Sequence, residues 1–306
     1  MRVTFSKPKG FGQILDHIFT ITKTNFSELF KVVLILLGPL FALQAVIQLI
    51  FGVNFFQEVG SSGSWIDRFI AGFEEDFLAP PTLLDNWLNI ISMASFVLLI
   101  VAQAAIMLIV SRIRLQQDYT VKEVIKQAFS KFWPALGGTL LYIVILIGMI
   151  VFPVIIMSFF SALIIEVIGG VGVIISAIFM IALFVTFLYF TIRWSFYFGA
   201  IIIDKSKPGL RKSWRLTKKR VWALIGLYLV LFLIIGIVTG AIEVTAMLFL
   251  GNSVLYSLII NSVSLVTTLI FSVGYAVIYF DLKVRNEADD LKGLIDEYET
   301  DEPSSE

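Results

Sequence analysis

The chain has 306 residues, 23 acidic and 23 basic side chains and no cysteine. Apolar residues make up 58% and charged residues 15%, against roughly 45–50% and 25% in soluble domains, which argues against an ordinary soluble enzyme. Zero net charge argues against a nucleic-acid partner, and the lack of Cys removes disulfides, thiolate zinc sites, iron–sulfur clusters and Cys nucleophiles together.

The apolar excess lies in long runs, several exceeding the roughly 20 residues that span a hydrocarbon core. Backbone groups there must be satisfied within the segment, so these runs predict helices. Arg2, Lys7 and Lys9 are not closely followed by an apolar run, which predicts no cleaved signal peptide. Phe11, Ile14, Leu15, Ile18 and Phe19 fall on one helical face. Asn25 with Glu28 suggests a capping box leading into a first span over about 30–51, with a kink at Pro39. A polar loop over 52–86 holds Ile66, Phe69, Ile70, Phe73 and Phe77 at helical spacing, predicting a helix at the membrane surface. The second span covers about 87–110 and leaves at Ser111-Arg112-Ile113-Arg114.

Thr120 and Glu123 form a second capping-box pattern, followed by an apolar stripe of Val121, Val124, Ile125, Ala128, Phe129 and Phe132. Spans three (about 135–160, with Pro153 inside) and four (about 173–192) flank a turn near Gly169-Gly170. A third amphipathic helix is predicted over 208–220, with Leu210, Ser213, Trp214, Thr217 and Val221 on its less polar face and Arg211, Lys212, Arg215, Lys218 and Lys219 on a basic one. Spans five (about 222–249) and six (about 255–280) are joined by a turn at Gly251-Asn252. The prediction is an all-α membrane domain over 1–290 with six transmembrane helices and cytoplasmic amphipathic helices, followed by an acidic tail at 291–306 expected to fray.

One unit suggests itself three times, over about 11–117, 118–205 and 206–290: an amphipathic helix, an outward span and a return span ending in Arg. Phe19, Phe129 and Trp214 take matching positions, so three pseudo-repeated helical hairpins are expected. Of the 23 Lys and Arg, only Arg68 falls in a segment assigned to the outside, where Glu58, Asp67, Glu74, Glu75, Asp76 and Asp85 lie. The positive-inside rule then places both termini and both basic loops in the cytoplasm, in a multi-pass protein of the plasma membrane.

Catalytic, cofactor and metal sites are not expected. His17 is the only His, which excludes a His-rich metal site. It reads as a polar-face residue on the first amphipathic helix or as a proton sensor. Glu74-Glu75-Asp76 is a solvated rim or a cation site, and Glu166 and Glu243 lie near outer span ends. Gly236 and Gly240 suit close helix packing. Asn261, Ser264, Thr268 and Ser272 form a polar stripe that either packs into the bundle or lines a solute path. Arg211, Lys212, Trp214, Arg215, Lys218 and Lys219 are candidate contacts for anionic lipid headgroups or for a membrane or cytoplasmic protein partner, or else fix topology alone.

The opening K-P-K-G-F-G-Q-I-L-D-H-I-F, the middle F-G-A-I-I-I-D-K-S-K-P-G-L-R-K-S-W-R-L-T-K-K-R-V-W and the exit Y-F-D-L-K-V-R-N-E together resemble the membrane domain family of glycerophosphoryl diester phosphodiesterase and related bacterial polytopic proteins. By this resemblance Asp16, Asp204, Ser213, Trp214, Asp281 and Arg285 occupy family-typical positions. Lys283 stands where the family pattern has Arg, and N-E-A-D-D replaces its usual ending. Some members carry a separate phosphodiesterase barrel; this chain has no room for one and lacks its paired His, so the resemblance implies no such activity. The expected function is that of a non-enzymatic accessory or scaffold protein linked to lipid or envelope metabolism. The alternative is a small transporter or permease subunit for a polar or lipid-derived solute; a membrane-embedded lipid hydrolase is a third reading.

Overall fold

Inside hydrocarbon an exposed N–H or C=O costs several kcal/mol, so each apolar run closes its own hydrogen bonds as a helix. The computed structural model describes residues 8–56, 81–206 and 208–301, the side chains of 161–168 and 289–301 excepted. Its described residues form helices α1 (Phe11–Thr24), α2 (Phe26–Ile50), α3 (Leu83–Leu115), α4 (Val121–Ser130), α5 (Phe132–Ile168), α6 (Gly170–Ser195), α7 (Tyr197–Ile202), α8 (Leu210–Leu216), α9 (Val221–Leu250) and α10 (Val254–Asp301). Six are long and apolar enough to cross a membrane: α2, α3, α5, α6 continued by α7, α9, and α10 as far as Ala288. They match the six expected spans. The surface helix expected over 66–77, with its acidic residues, lies outside the described residues.

Local chemistry accounts for the joints. Thr120 caps α4 as expected: its hydroxyl accepts from the Glu123 N–H at 3.3 Å, and the Glu123 carboxylate accepts from the Thr120 N–H at 3.4 Å. The capping box expected at Asn25 and Glu28 does not form. One residue separates α1 from α2, and Asn25 closes α1, its side-chain amide donating to the Ile21 carbonyl at 3.2 Å. Pro39 and Pro153 lie within α2 and α5. The helix expected over 208–220 is shorter, ending at Leu216, and Lys219 takes a left-handed conformation at φ 67°. Helix α10 runs through 291–301, where acidity predicts a frayed tail.

The order of short helix, long helix, long helix recurs as α1–α2–α3, α4–α5–α6 and α8–α9–α10. Phe19, Phe129 and Trp214, the residues matched by the sequence pattern, are all exposed. Packing between the units is unequal. Helices α2, α3 and α10 pack on one another, and α1 lies against α10. The most apolar window of α3 is 56% enclosed, whereas those of α5 and of the α6–α7 span are 6% enclosed. The α5–α6 pair therefore turns its apolar side chains outward, as a lipid-facing hairpin requires. The core centres on Leu29, Ile106, Met107, Ile109, Phe196 and Tyr279.

The polar stripe of α10 is only partly an interhelical contact. The Asn261 amide donates to Gln44 Oε1 on α2 at 3.2 Å, and one turn away Gln48 Nε2 donates to Ser257 Oγ at 3.1 Å. Ser272 is buried, while Ser264 and Thr268 are half-buried. A polar group that bonds across helices in lipid contributes about 0.6 kcal/mol on average, so these residues pin α10 to α2 rather than drive folding.

Candidate functional site

The charged residues gather where α6 and α10 finish their apolar runs and α9 begins. The α7–α8 connection crosses this end because α7, wholly buried against α3, α5 and α8, carries the chain back over it. Two glycines permit that path. A Cβ on Gly209, at φ +82°, would stand 2.4 Å from the Tyr197 carbonyl oxygen, and one on Gly199 would stand 2.4 Å from the Tyr279 ring. Above Gly199, the Tyr275 hydroxyl accepts from the Gly199 N–H at 2.9 Å and donates to the Ser195 carbonyl at 3.1 Å.

The path delivers Asp204 into a cage of donors. Lys212 Nζ and Lys283 Nζ each lie 2.6 Å from its carboxylate, and the Tyr279 hydroxyl donates to the same group. The side chain is 7% exposed. Burial pushes its pKa up, but hydrogen bonds from Lys212, Lys283 and Tyr279, with the Lys283 charge, outweigh burial and leave the carboxyl below the usual range. A second carboxylate, Asp281, accepts from Arg285 Nε at 2.6 Å and from the Lys9 N–H at 2.9 Å, and Arg285 also donates to the Lys9 carbonyl. The N-terminal segment is thereby tied to α10. Lys9 Nζ also contacts the His17 ring. Burial and then the Lys9 charge hold the His17 pKa down at about 4.

Ser213 is fully buried and links α8 to the end of α6: its hydroxyl donates to the Arg193 carbonyl at 2.8 Å and accepts from the Phe196 N–H at 3.0 Å. Trp214, on the next position, stacks on Phe190 and packs at a tilt against Trp194. The Arg193 guanidinium lies 3.9 Å over the Trp214 ring, a cation–π contact. Asp204, Ser213, Trp214, Asp281 and Arg285 thus share one end of the bundle. Asp16 is exposed on α1, from where its charge acts on Lys9 and His17.

Two basic cavities flank α8. One, of about 550 Å³, is lined by Arg193, Ser206, Arg211, Lys212, Trp214, Arg215 and Lys218. The other, of about 630 Å³, brings Arg215, Lys218, Lys219 and Arg220 to Arg285 of α10. All six candidate lipid-contact residues therefore line one cavity or the other, and among the described residues no carboxylate lines either.

Arg193 was legible in the sequence only as a span exit. It is 8% exposed, its Nη1 donates to the Tyr189 hydroxyl at 3.0 Å, and its Nε has no acceptor among the described residues. No carboxylate pairs with it among the described residues. Its signal in the sequence is a cation set between F-L-Y-F-T-I and W-S-F-Y-F-G-A-I-I-I, with apolar residues on both sides rather than one. Among the described residues no cluster of three or more His, Asp or Glu could hold a metal ion.

The family described as the membrane domain of glycerophosphoryl diester phosphodiesterase matches residues 84–285, from the start of α3 to Arg285. The chain belongs to this family. Asp204, Ser213, Trp214, Asp281 and Arg285 lie within the match; Asp16 and the opening segment lie before it. Comparison with curated proteins and with solved structures gives no match.

Proposed function

We propose that this member of the glycerophosphoryl diester phosphodiesterase membrane-domain family is a non-catalytic accessory protein of the plasma membrane, holding anionic lipid, or a protein that handles it, at a basic cytoplasmic face. The observation that carries the reading is the pair of basic cavities at one end of the bundle, with Trp214 at the rim of the first. Trp at a membrane interface keeps its ring in an apolar zone and its N–H near water. Each cation near an anionic leaflet contributes on the order of 1 kcal/mol. The cage around Asp204 and the clamp at Asp281 keep that face in one shape, as a docking platform needs. The linked Gln44–Asn261 and Gln48–Ser257 pairs support packing of the stripe over a solute path.

The test is affinity capture of the full chain from membranes in mild detergent, with identification of the proteins and lipids that come with it. The proposal expects a reproducible partner from lipid or envelope metabolism, lost when Arg215, Lys218 and Lys219 are neutralised together. Capture of no partner, with lipid in the headgroup proportions of the bulk membrane, would overturn it.

A further inference from the structure

We infer that the cavity beside Trp214 is a binding site for a phosphate group, with Arg193 as its buried anchor. The inference deepens the function proposed above, and rests on it for placing the site at the cytoplasmic leaflet. A guanidinium carries a permanent charge, and an arginine that merely fixed topology would extend its head into water. Arg193 does the opposite. It is 8% exposed, its guanidinium lies over the Trp214 face at 3.9 Å and the Tyr189 face at 5.6 Å, and its Nε has no acceptor among the described residues. Its charge meets no carboxylate among the described residues, and Arg211, Arg215 and Lys218 around the same cavity are likewise without a carboxylate partner there.

Lys212 completes the wall differently. Its ammonium is fixed by Asp204 at 2.6 Å, a carboxylate it shares with Lys283, so it shapes the cavity while its charge is partly offset. Four unbalanced cations around about 550 Å³ call for a compact anion with several acceptor oxygens. A phosphate meets that description, and the planar fork of an arginine matches two of its oxygens at once. The indole wall gives an adjoining apolar contact, which suits a phosphate carried on a lipid headgroup; inorganic phosphate shares the same oxygens.

The test uses the full chain in zwitterionic detergent micelles containing equal amounts of phosphatidylglycerol and phosphatidylcholine. Native mass spectrometry reads the retained lipid, and thermal melting reads the response to millimolar inorganic phosphate. The wild type is expected to retain phosphatidylglycerol several-fold over phosphatidylcholine. Arg193→Gln should lose that preference and Arg193→Lys should recover part of it. Because Arg193 variants could fail to fold, the rim pair Arg211→Gln/Lys218→Gln provides a second reading, and should lose the preference with its melting curve intact. Stabilisation by inorganic phosphate alone, abolished in the rim pair, would support the same site with a free anion as its ligand. An unchanged preference in a folded rim pair, with no response to inorganic phosphate, would overturn the inference. So would an equal loss in the control pair Lys122→Gln/Lys126→Gln on α4, which removes the same charge elsewhere. These readouts need no protein partner, so a failed capture experiment leaves them standing, and their failure leaves a captured partner standing.

Discussion

Lys283 Nζ lies 2.6 Å from Asp204 Oδ1, tying the last helix to the segment that follows the fourth span. Lys212 meets the other carboxylate oxygen at the same distance, so one carboxylate is shared by two ammoniums that are each about a quarter exposed. Removing one partner of a buried pair costs about 3–5 kcal/mol, and the part-exposed lysines place Asp204→Asn nearer 2–3 kcal/mol on that scale. Thermal melting in detergent should show this loss, and the double variant Asp204→Asn/Lys283→Met should recover part of it. Strict additivity in that cycle would mean that the two residues do not act as a pair.

Gly199 sets the spacing beneath this cage. A methyl group there would stand 2.4 Å from the Tyr279 ring and 2.8 Å from the end of Met107. Tyr279 is fully buried and donates to Asp204, so it has no room to swing aside without losing that bond. Gly199→Ala should cost about 1–3 kcal/mol, the range for an overpacked core. Gly137 on α5 meets nothing within 4 Å, and Gly137→Ala should be neutral or stabilising by up to about 1 kcal/mol. Equal melting temperatures for the two variants would contradict the contact.

His17 gives a pH dependence of defined sign. Its pKa is lowered from 6.5 to about 4, by burial first and the Lys9 charge second. The unfolded chain therefore binds a proton through this interval while the folded chain does not. Stability from this group is present above pH 6.5, falls as the pH drops towards 4, and changes no further below that. The melting temperature of the wild type should fall relative to that of His17→Gln between pH 7 and pH 4. Parallel curves across this range would show that His17 titrates as an exposed residue.

Asn261→Leu tests the polar stripe. If the stripe is a packing contact, losing the bond to Gln44 removes about 0.6 kcal/mol, and Gln44 on α2 is half-buried and keeps some access to other partners. A small drop in melting temperature with the basic-face lipid preference unchanged is expected. A change in solute flux across proteoliposomes would instead favour the path reading.

The six spans were legible because each apolar run is longer than any soluble element requires, and the Thr120 cap because its two residues act locally. Distances along the chain hid the rest. Asp204 and Lys283 are 79 positions apart, and Asp281 reaches the Lys9 N–H across 272. The composition of either segment alone reads as an ordinary span exit. The resemblance brought Asp204, Ser213, Trp214, Asp281 and Arg285 together without their contacts. It could not single out Arg193, whose burial depends on α8 folding back to lay Trp214 over it. Asn25 misled for a local reason: with a single residue between two helices, the side chain that could cap the second serves the first.

The proposed function requires the basic end of the bundle to face the cytoplasm. The chain has no cysteine, so single replacements report without background. Ser206 lines the cavity beside Trp214, and Asn252 lies exposed in the turn between α9 and α10. A membrane-impermeant maleimide applied to intact cells should label Asn252→Cys and leave Ser206→Cys unlabelled until the membrane is opened. Labelling of Ser206→Cys in intact cells, with Asn252→Cys protected, would turn the basic face outward and contradict the proposed function together with its lipid site.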